Sequence, residues 1–306
     1  MMSSPADEHR TGFIALIGTP NVGKSTLMNR MIGQKVAITS CRPQTTRNRI
    51  LTVVTDERSQ MIFLDTPGIH EARNRLGEKM VSIAREVRND ADVVLWLLDA
   101  KREPGDDEQR IGEELERLRA PVVIVLNKAD TVSEDNLKRN IELIRTKYSF
   151  AEVCAVSALK GDNTDELKRM ITERLPYGPP LYDEDELTDM PEREIAAEMV
   201  REKALRLLKD EVPHGLAVVT ESMKERTKKD GTPVMDVHAT IVCEKDTHKG
   251  IVIGKNGAML KKIGAEARTD MEKMLDMQVN LQLFVKVRKN WRDDPLQLKS
   301  LGLWKD

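Results

Sequence analysis

The stretch Gly18-Thr19-Pro20-Asn21-Val22-Gly23-Lys24-Ser25 joins two glycines to a Lys-Ser pair at the spacing of a phosphate-binding loop. Glycines let backbone N–H groups close on phosphate oxygens. A lysine adds a point charge at the outer phosphates, and a serine hydroxyl can ligate Mg²⁺. An apolar run at residues 13–17 precedes the loop and a helical pattern follows. That strand-to-helix context separates a phosphate cradle from a chance glycine-rich turn. Gly18, Asn21, Val22, Gly23, Lys24, Ser25 and Thr26 are therefore expected around the phosphates of a nucleotide.

Three further clusters follow in the order such a site needs. Asp65-Thr66-Pro67-Gly68 ends an apolar run at 61–64, where Asp65 can hold a metal through water and the Gly68 N–H can meet a γ-phosphate. Asn127-Lys128-Ala129-Asp130 ends the run at 122–126. A carboxylate accepts from two adjacent N–H groups, which guanine offers and adenine does not, so Asp130 selects guanine. Lys128 can lie along the base, and Asn127 can tie loops together. Ser157-Ala158-Leu159 ends the next run, where the Ala158 N–H could meet the guanine oxygen. Between the first helix and a strand beginning near Arg49, Thr46, with Thr45 as its rival, could close over Mg²⁺ and the γ-phosphate as a switch. The metal set is then Ser25, Thr46 and Asp65, and the residues acting on hydrolysis are Lys24, Thr46 and Gly68.

These residues need a scaffold that brings loop ends together. Continuous apolar runs at 13–17, 61–64, 93–98, 122–126 and 153–156 read as strands of a sheet covered on both faces. Amphipathic stretches at 76–87, 109–118 and 133–147 alternate with them, which predicts a doubly wound, mostly parallel α/β domain. The pattern breaks at 176–194, where prolines and the acidic residues Asp183 to Glu186 read as a linker. Beyond it come a helix at 195–208, strands at 216–223 and 234–243, a second helix through Leu260, Ile263, Ala267, Met271 and Met274, and a strictly alternating strand through Val279 to Val287. Period-two strands are half-buried, so this half is a smaller α+β domain with helices on one face of a sheet.

The second domain carries its own chemical signal. Gly254-Lys255-Asn256-Gly257 sits between a short helical turn and a long helix, where a nucleic-acid backbone can pack closely. Lys249, Lys255, Lys261 and Lys262 surround it, and basic groups outnumber acidic ones about two to one over residues 245–289. The bland alternative is a solvated helical face. Aromatic content of 3% argues against a stacking platform and for a backbone clamp.

The spacing of the nucleotide boxes resembles that of TRAFAC GTPases. Gly-Thr-Pro-Asn-Val-Gly-Lys-Ser-Thr from Gly18, with Pro-Gln-Thr-Thr-Arg from Pro43, resembles the Era subfamily, and the likeness extends over residues 10–300. The resemblance implies a P-loop GTPase domain at 10–177, a linker at 178–192 and a type II KH domain with C-terminal tail at 193–306. It implies GTP and GDP with Mg²⁺; Asn21 matches the asparagine that helps hold a potassium ion near the phosphates in potassium-stimulated relatives, the alternative being a loop-shaping hydrogen bond. Ile69 stands where Ras-like proteins carry a water-orienting glutamine, which implies slow turnover; the adjacent His70 is no general base on this reading, since phosphoryl transfer rests on positioning and charge. The RNA implied is 16S rRNA near its 3′ end, bound during 30S subunit assembly, with Gly254, Lys255, Asn256, Gly257, Lys249 and Lys261 as the RNA-facing residues. A tail containing Trp291, Leu298, Leu301, Leu303 and Trp304 is expected to pack on that domain.

Composition narrows the rest. A net charge of −2 gives no global pull toward nucleic acid or membrane, although the first half is mildly acidic and the second mildly basic. Cys41, Cys154 and Cys243 are too few and too dispersed for a disulfide framework or a zinc site. The N-terminus is polar and carries Asp7 and Glu8, unlike a secretory or transit peptide. A cytoplasmic monomer is expected, without a DNA partner, with at most a peripheral association at the inner face of the cell membrane. The competing reading is a signalling module whose nucleotide only sets conformation at a membrane or protein target; no lipid-anchor motif supports it. An ATP-dependent enzyme is disfavoured by Asp130.

Overall fold

The computed structural model describes residues 9–39, 45–67 and 74–304, which form two compact units. The first takes residues 9–37, 46–67 and 80–189 among those described. Its sheet comprises β1 (Arg10–Ile17), β2 (Ile50–Thr55), β3 (Ser59–Asp65), β4 (Val93–Asp99), β5 (Val122–Asn127) and β6 (Glu152–Val156), in the order β2-β3-β1-β4-β5-β6. All pairings are parallel except β2 with β3. Ile14, Leu16, Ile62, Val94, Trp96 and Ile124 are fully buried, as strands covered on both faces require. Around the sheet run α1 (Lys24–Ile32), α2 (Arg75–Asp90), α3 (Asp106–Leu115), α4 (Glu134–Lys147) and α5 (Thr164–Thr172). The chain builds outward from β1 to β3 and β2, then reverses to β4, β5 and β6. That reversal opens a crevice beyond the carboxyl ends of the strands, where α/β sheets bind ligands.

All five apolar runs fall inside β1 and β3 to β6. The antiparallel β2 is an edge strand whose free backbone is covered by the stretch read as a linker. The Val53 N–H donates to the Leu187 carbonyl at 3.0 Å, and the Thr188 hydroxyl donates to the Leu51 carbonyl at 2.6 Å. The buried Gln60 side chain accepts from the Leu181 and Tyr182 amides at 2.7 and 2.9 Å. Proline and acidic composition signals an irregular chain, but not that an exposed sheet edge nearby needs partners.

The second unit takes residues 38–39, 45, 74–79 and 190–304 among those described. It contains α6 (Glu192–Leu207), β7 (Leu216–Thr227), β8 (Pro233–Cys243), α7 (Asp246–Ile253), α8 (Ala258–Leu275), β9 (Gln278–Val287) and α9 (Pro295–Ser300). The sheet order is β7-β8-β9, with β8 antiparallel to β7 and parallel to β9. Val237, Ala239 and Ile241 of β8 bury against Ala196, Val200 and Ala204 of α6 and Ile263, Ala267 and Met271 of α8. The tail packs here too: Trp291, Leu298, Leu301 and Leu303 are buried, and the Trp291 indole N–H donates to the Gly215 carbonyl at 3.2 Å.

Helix α6 departs from a one-faced pattern. Arg201, Glu202 and Lys203 are consecutive and all buried. Burial of charge costs free energy unless the charges are paired, and they are. Lys203 meets Glu202 at 2.9 Å and also Asp270 of α8, while Arg201 pairs with Glu198. The same residues hold chain that lies between α1 and β2 in sequence. The Thr39 amide and hydroxyl donate to Glu202 Oε1 at 2.9 and 3.2 Å, and Arg201 donates to the Thr45 carbonyl. No helix among the described residues is long and apolar enough to cross a membrane.

Candidate functional site

The turn from β1 into α1 is shaped by left-handed backbone at Asn21 (φ 67°) and Gly23 (φ 101°). A Cβ at Gly23 would collide with Asn127 Nδ2, so this position needs glycine for space as well as conformation. Lys24, the first residue of α1, is buried, and its ammonium donates to the carbonyls of Gly18 and Thr19 at 2.9 and 3.1 Å. Burial pulls its pKa down to about 8, opposed by the charge of Asp65. A lysine held this way can transfer its hydrogen bonds to a phosphate without crossing solvent.

One helical position on, the Ser25 hydroxyl donates to Asp65 Oδ2 at 2.7 Å and lies 3.1 Å from the Thr46 hydroxyl. Thr46 also donates to Asp65 Oδ2, at 3.2 Å. Asp65 Oδ1 is buried without a hydrogen-bond partner among the described residues. Burial raises the Asp65 pKa, against the charge of Lys24 and the hydroxyl donors. Two hydroxyls and one carboxylate, whose Oδ1 has no other partner among the described residues, form a hard-donor set that fits Mg²⁺, which takes few protein ligands and keeps water. Of the two threonines weighed for this place, the structure brings the Thr46 side chain to the cluster; Thr45 lies in the second unit. Thr66 is buried, and its hydroxyl donates to the Leu16 carbonyl at 2.9 Å, fixing the start of the loop after β3. Gly68, Ile69 and His70 lie outside the described residues.

The base-side boxes meet at the ends of β5 and β6. Asn127 Nδ2 donates to the Val22 carbonyl at 2.8 Å, and Asn127 Oδ1 accepts from the Ala158 N–H at 3.0 Å. One amide thus ties the phosphate loop to the loop after β6, and the Ala158 N–H has a protein acceptor already. Lys128 has left-handed backbone (φ 66°), and its ammonium bridges the Asn21 carbonyl at 2.8 Å and Asp99 Oδ2 at 2.7 Å. The Asp130 side chain is only 9% exposed, and its carboxylate lies 3.9 Å from the Lys160 ammonium. Asn21 itself is exposed.

Two contributors were not identified from the sequence. Asp99 ends β4 opposite Asn127 in register, and burial of its carboxyl is outweighed by the Lys128 hydrogen bond and the Lys101 amide, which hold its pKa low. An acid ending an apolar strand, as Asp65 does, was the available signal. Glu108, in the first turn of α3, accepts from the Thr19 hydroxyl at 2.8 Å and the Gly105 amide at 3.1 Å. In sequence it reads only as a helix-start acid, because nothing local points to Thr19.

In the second unit, α7 stops at Gly254 and α8 starts after Gly257. Gly254 (φ 71°), Asn256 (φ 52°) and Gly257 (φ 75°) all take left-handed backbone. A Cβ on Gly254 would lie 2.8 Å from Met259 Cβ and 3.0 Å from its amide nitrogen. Lys255, Asn256 and Lys261 are exposed and Lys249 half-buried, and the first turn of the 18-residue α8 holds no acid. Four-residue turn, free helix N-terminus and flanking ammonium groups form a cradle for a polyanionic backbone.

Residues 13–128 match a family described as 50S ribosome-binding GTPase, and residues 211–292 match the KH domain. The chain is 47% identical to GTPase Era of Thermoanaerobacter sp. (strain X514) over 294 residues, covering 96% of each. It is 48% identical to GTPase Era of Geobacter metallireducens over 293 residues, covering 96% of this chain and 97% of that protein. Among solved structures, a point variant of Aquifex aeolicus Era bound to GDP.AlF4− superposes with a TM-score of 0.92 at 39% identity, covering 97% of this chain and all of that one. Era in complex with MgGDPNP and nucleotides 1506–1542 of 16S ribosomal RNA gives 0.93 at 39% identity, with the same coverage.

Proposed function

The chain belongs to the Era family of GTPases, and on that footing we propose that it is a slow GTP-driven switch that binds 16S rRNA near its 3′ end and assists assembly of the 30S subunit. The observation that carries the switch is the meeting of Ser25, Thr46 and Asp65 within 2.7–3.2 Å, both hydroxyls on Asp65 Oδ2, while Oδ1 is buried without a hydrogen-bond partner among the described residues. The GTPase domain spans 10–177, the linker 178–192 and the KH-type domain with its tail 193–306.

In this reading water attacks the γ-phosphorus, the new P–O bond forming as the bond to the β-phosphate oxygen breaks, to give GDP and phosphate. Lys24 leaves the Gly18 and Thr19 carbonyls for the phosphate oxygens, and the amides of the loop from Gly18 to Thr26 stabilise the charge that spreads over them. Ser25 and Thr46 would hold Mg²⁺, with Asp65 acting through water, and the bound ion would supply charge neutralisation at the phosphates. The Gly68 N–H meets the γ-phosphate. Asp130 accepts from the two guanine N–H groups, Lys128 lies along the base, and the Ala158 N–H is shared between Asn127 and the guanine oxygen. Ile69 offers no group to orient the attacking water, which keeps turnover slow. Asn21 helps hold a potassium ion at the phosphates; a higher hydrolysis rate in potassium than in sodium buffer is expected, and equal rates would remove this role.

Thr46 directly follows a residue that clusters with the RNA-binding half, since Thr45 is held by Arg201. Closing Thr46 onto metal and γ-phosphate therefore pulls on chain anchored in α6, which gives nucleotide state a covalent route to the second unit. RNA enters at Gly254, Lys255, Asn256 and Gly257, with Lys249 and Lys261 beside them. The protein works as a cytoplasmic monomer, and any membrane contact is peripheral. Crosslinking to ribosomal RNA tests the assignment: a footprint near the 3′ end of 16S rRNA, lost in the paired Gly254→Asp, Gly257→Asp variant, is expected. A footprint unchanged by that variant would contradict it.

A further inference from the structure

Arg30 lies in the last turn of α1, the helix opened by the phosphate loop. Its side chain reaches the loop after β6, where Nε donates to the Ala158 carbonyl at 3.2 Å and Nη2 donates to the Leu159 carbonyl. Both contacts are charge-assisted and come from one rigid planar group, so they constrain direction as well as distance. Gly161 closes the loop in left-handed backbone (φ 92°), and a Cβ there would sit 3.5 Å from Arg30 Cδ and Nη1.

The loop amides are fixed one peptide plane at a time, because each trans peptide holds its C=O and N–H antiparallel. The plane joining Ser157 to Ala158 is held at both ends. The Ser157 carbonyl accepts from the Gly161 N–H at 2.7 Å, and the Ala158 N–H donates to Asn127 Oδ1 at 3.0 Å. The next plane has its carbonyl on Arg30, so its N–H, that of Leu159, points away from the guanidinium. The Leu159 carbonyl, also on Arg30, sets the third plane. The Lys160 N–H then turns back to Ser157 Oγ at 3.1 Å. Arg30 thus holds the carbonyls of both planes after Ala158, alone for the first and together with the Lys160–Ser157 hydrogen bond for the second.

We propose that Arg30 is a positioning residue for guanine recognition: from α1 it clamps the Ala158 and Leu159 carbonyls so that the loop amides present to the exocyclic oxygen of the base. The proposal rests on the reading that this loop meets that oxygen. It adds a direct link between the helix that holds the phosphates and the loop that reads the base, in parallel with the Asn127 tie between Val22 and Ala158.

The test measures affinities of the full chain for GDP and for its 6-thio analogue, whose sulfur is a poorer acceptor than oxygen, in the native protein, Arg30→Ala and Arg30→Lys. Native protein should prefer GDP. Arg30→Ala should lose about five- to tenfold in GDP affinity, the factor that roughly one hydrogen bond carries, and less for the analogue. Arg30→Lys keeps one charged donor and should recover much of the loss, which keeps the test informative if the alanine variant folds poorly. Equal losses for both nucleotides, or no loss, would overturn the role of Arg30 while leaving guanine recognition intact. Equal affinities for both nucleotides in the native protein would overturn the reading of the oxygen and this proposal with it.

Discussion

The Ser25 hydroxyl donates to Asp65 Oδ2 at 2.7 Å, joining the first turn of α1 to the end of β3 across 40 residues of chain. With Thr46 on the same carboxylate oxygen, the pair turns three sequence-distant residues into one hard-donor site. Replacing Ser25 with Ala should leave the fold intact and lower Mg²⁺-supported GTP hydrolysis at least tenfold, since removal of one electrostatic contributor costs about that or more. Titrating Mg²⁺ against hydrolysis rate checks this, and the variant should need more metal for half-maximal rate.

Lys24 gives a pH prediction with a definite sign. Its folded pKa of about 8 is below its ordinary 10.5, so between those values the folded, nucleotide-free protein binds fewer protons than the unfolded chain. Stability therefore rises with pH through that window, and the charged lysine weakens the empty fold below pH 8. Phosphate favours the charged form, so GDP binding near pH 8–9 should take up a proton, and affinity should decline as pH rises further. Calorimetry in buffers of different ionisation enthalpy reads the uptake directly; the Lys24→Arg variant should show none.

How much of this was legible in the sequence depends on where each residue stands. The phosphate loop, Asp65 and Asn127 end apolar strands, and a parallel sheet brings all such ends to one edge, so their meeting follows from pattern alone. Asp99 shares that edge but belongs to no recognisable box. Glu108 and Arg30 act from helices, and their reach depends on how those helices pack on the sheet, which periodicity does not encode. The buried Arg201-Glu202-Lys203 run was hidden for a related reason: three consecutive charges read as solvated until Asp270, Thr39 and Thr45 are seen around them. Closure of β2 by Leu187 and Thr188 was masked by the linker-like composition of that stretch.

Asp130 should set base choice by its acceptor pair. Asp130→Asn replaces one acceptor with an amide donor, which mismatches the guanine N–H groups and suits the second carbonyl of xanthine. GDP affinity should fall about a hundredfold, the value of charged hydrogen bonds lost, and preference should move toward xanthine nucleotide. Competition between labelled GDP and xanthosine diphosphate measures the change.

Glu202 is expected to matter for stability and for coupling alike. Glu202→Ala leaves Lys203 with Asp270 but removes the acceptor for Thr39, and breaking a buried charged network costs about 3 kcal/mol. Glu202→Gln keeps a carbonyl acceptor and should cost less. Urea denaturation orders the two. In the glutamine variant, RNA affinity should depend less on whether GTP analogue or GDP is bound.

In the proposed function, nucleotide state governs RNA engagement through the second unit. Co-sedimentation with purified small ribosomal subunits, in a non-hydrolysable GTP analogue and in GDP, measures it most directly. Stronger retention with the analogue is expected, abolished by the paired Gly254→Asp, Gly257→Asp substitution without change in nucleotide affinity. Equal retention in both nucleotide states, or retention that survives the paired substitution, would contradict it.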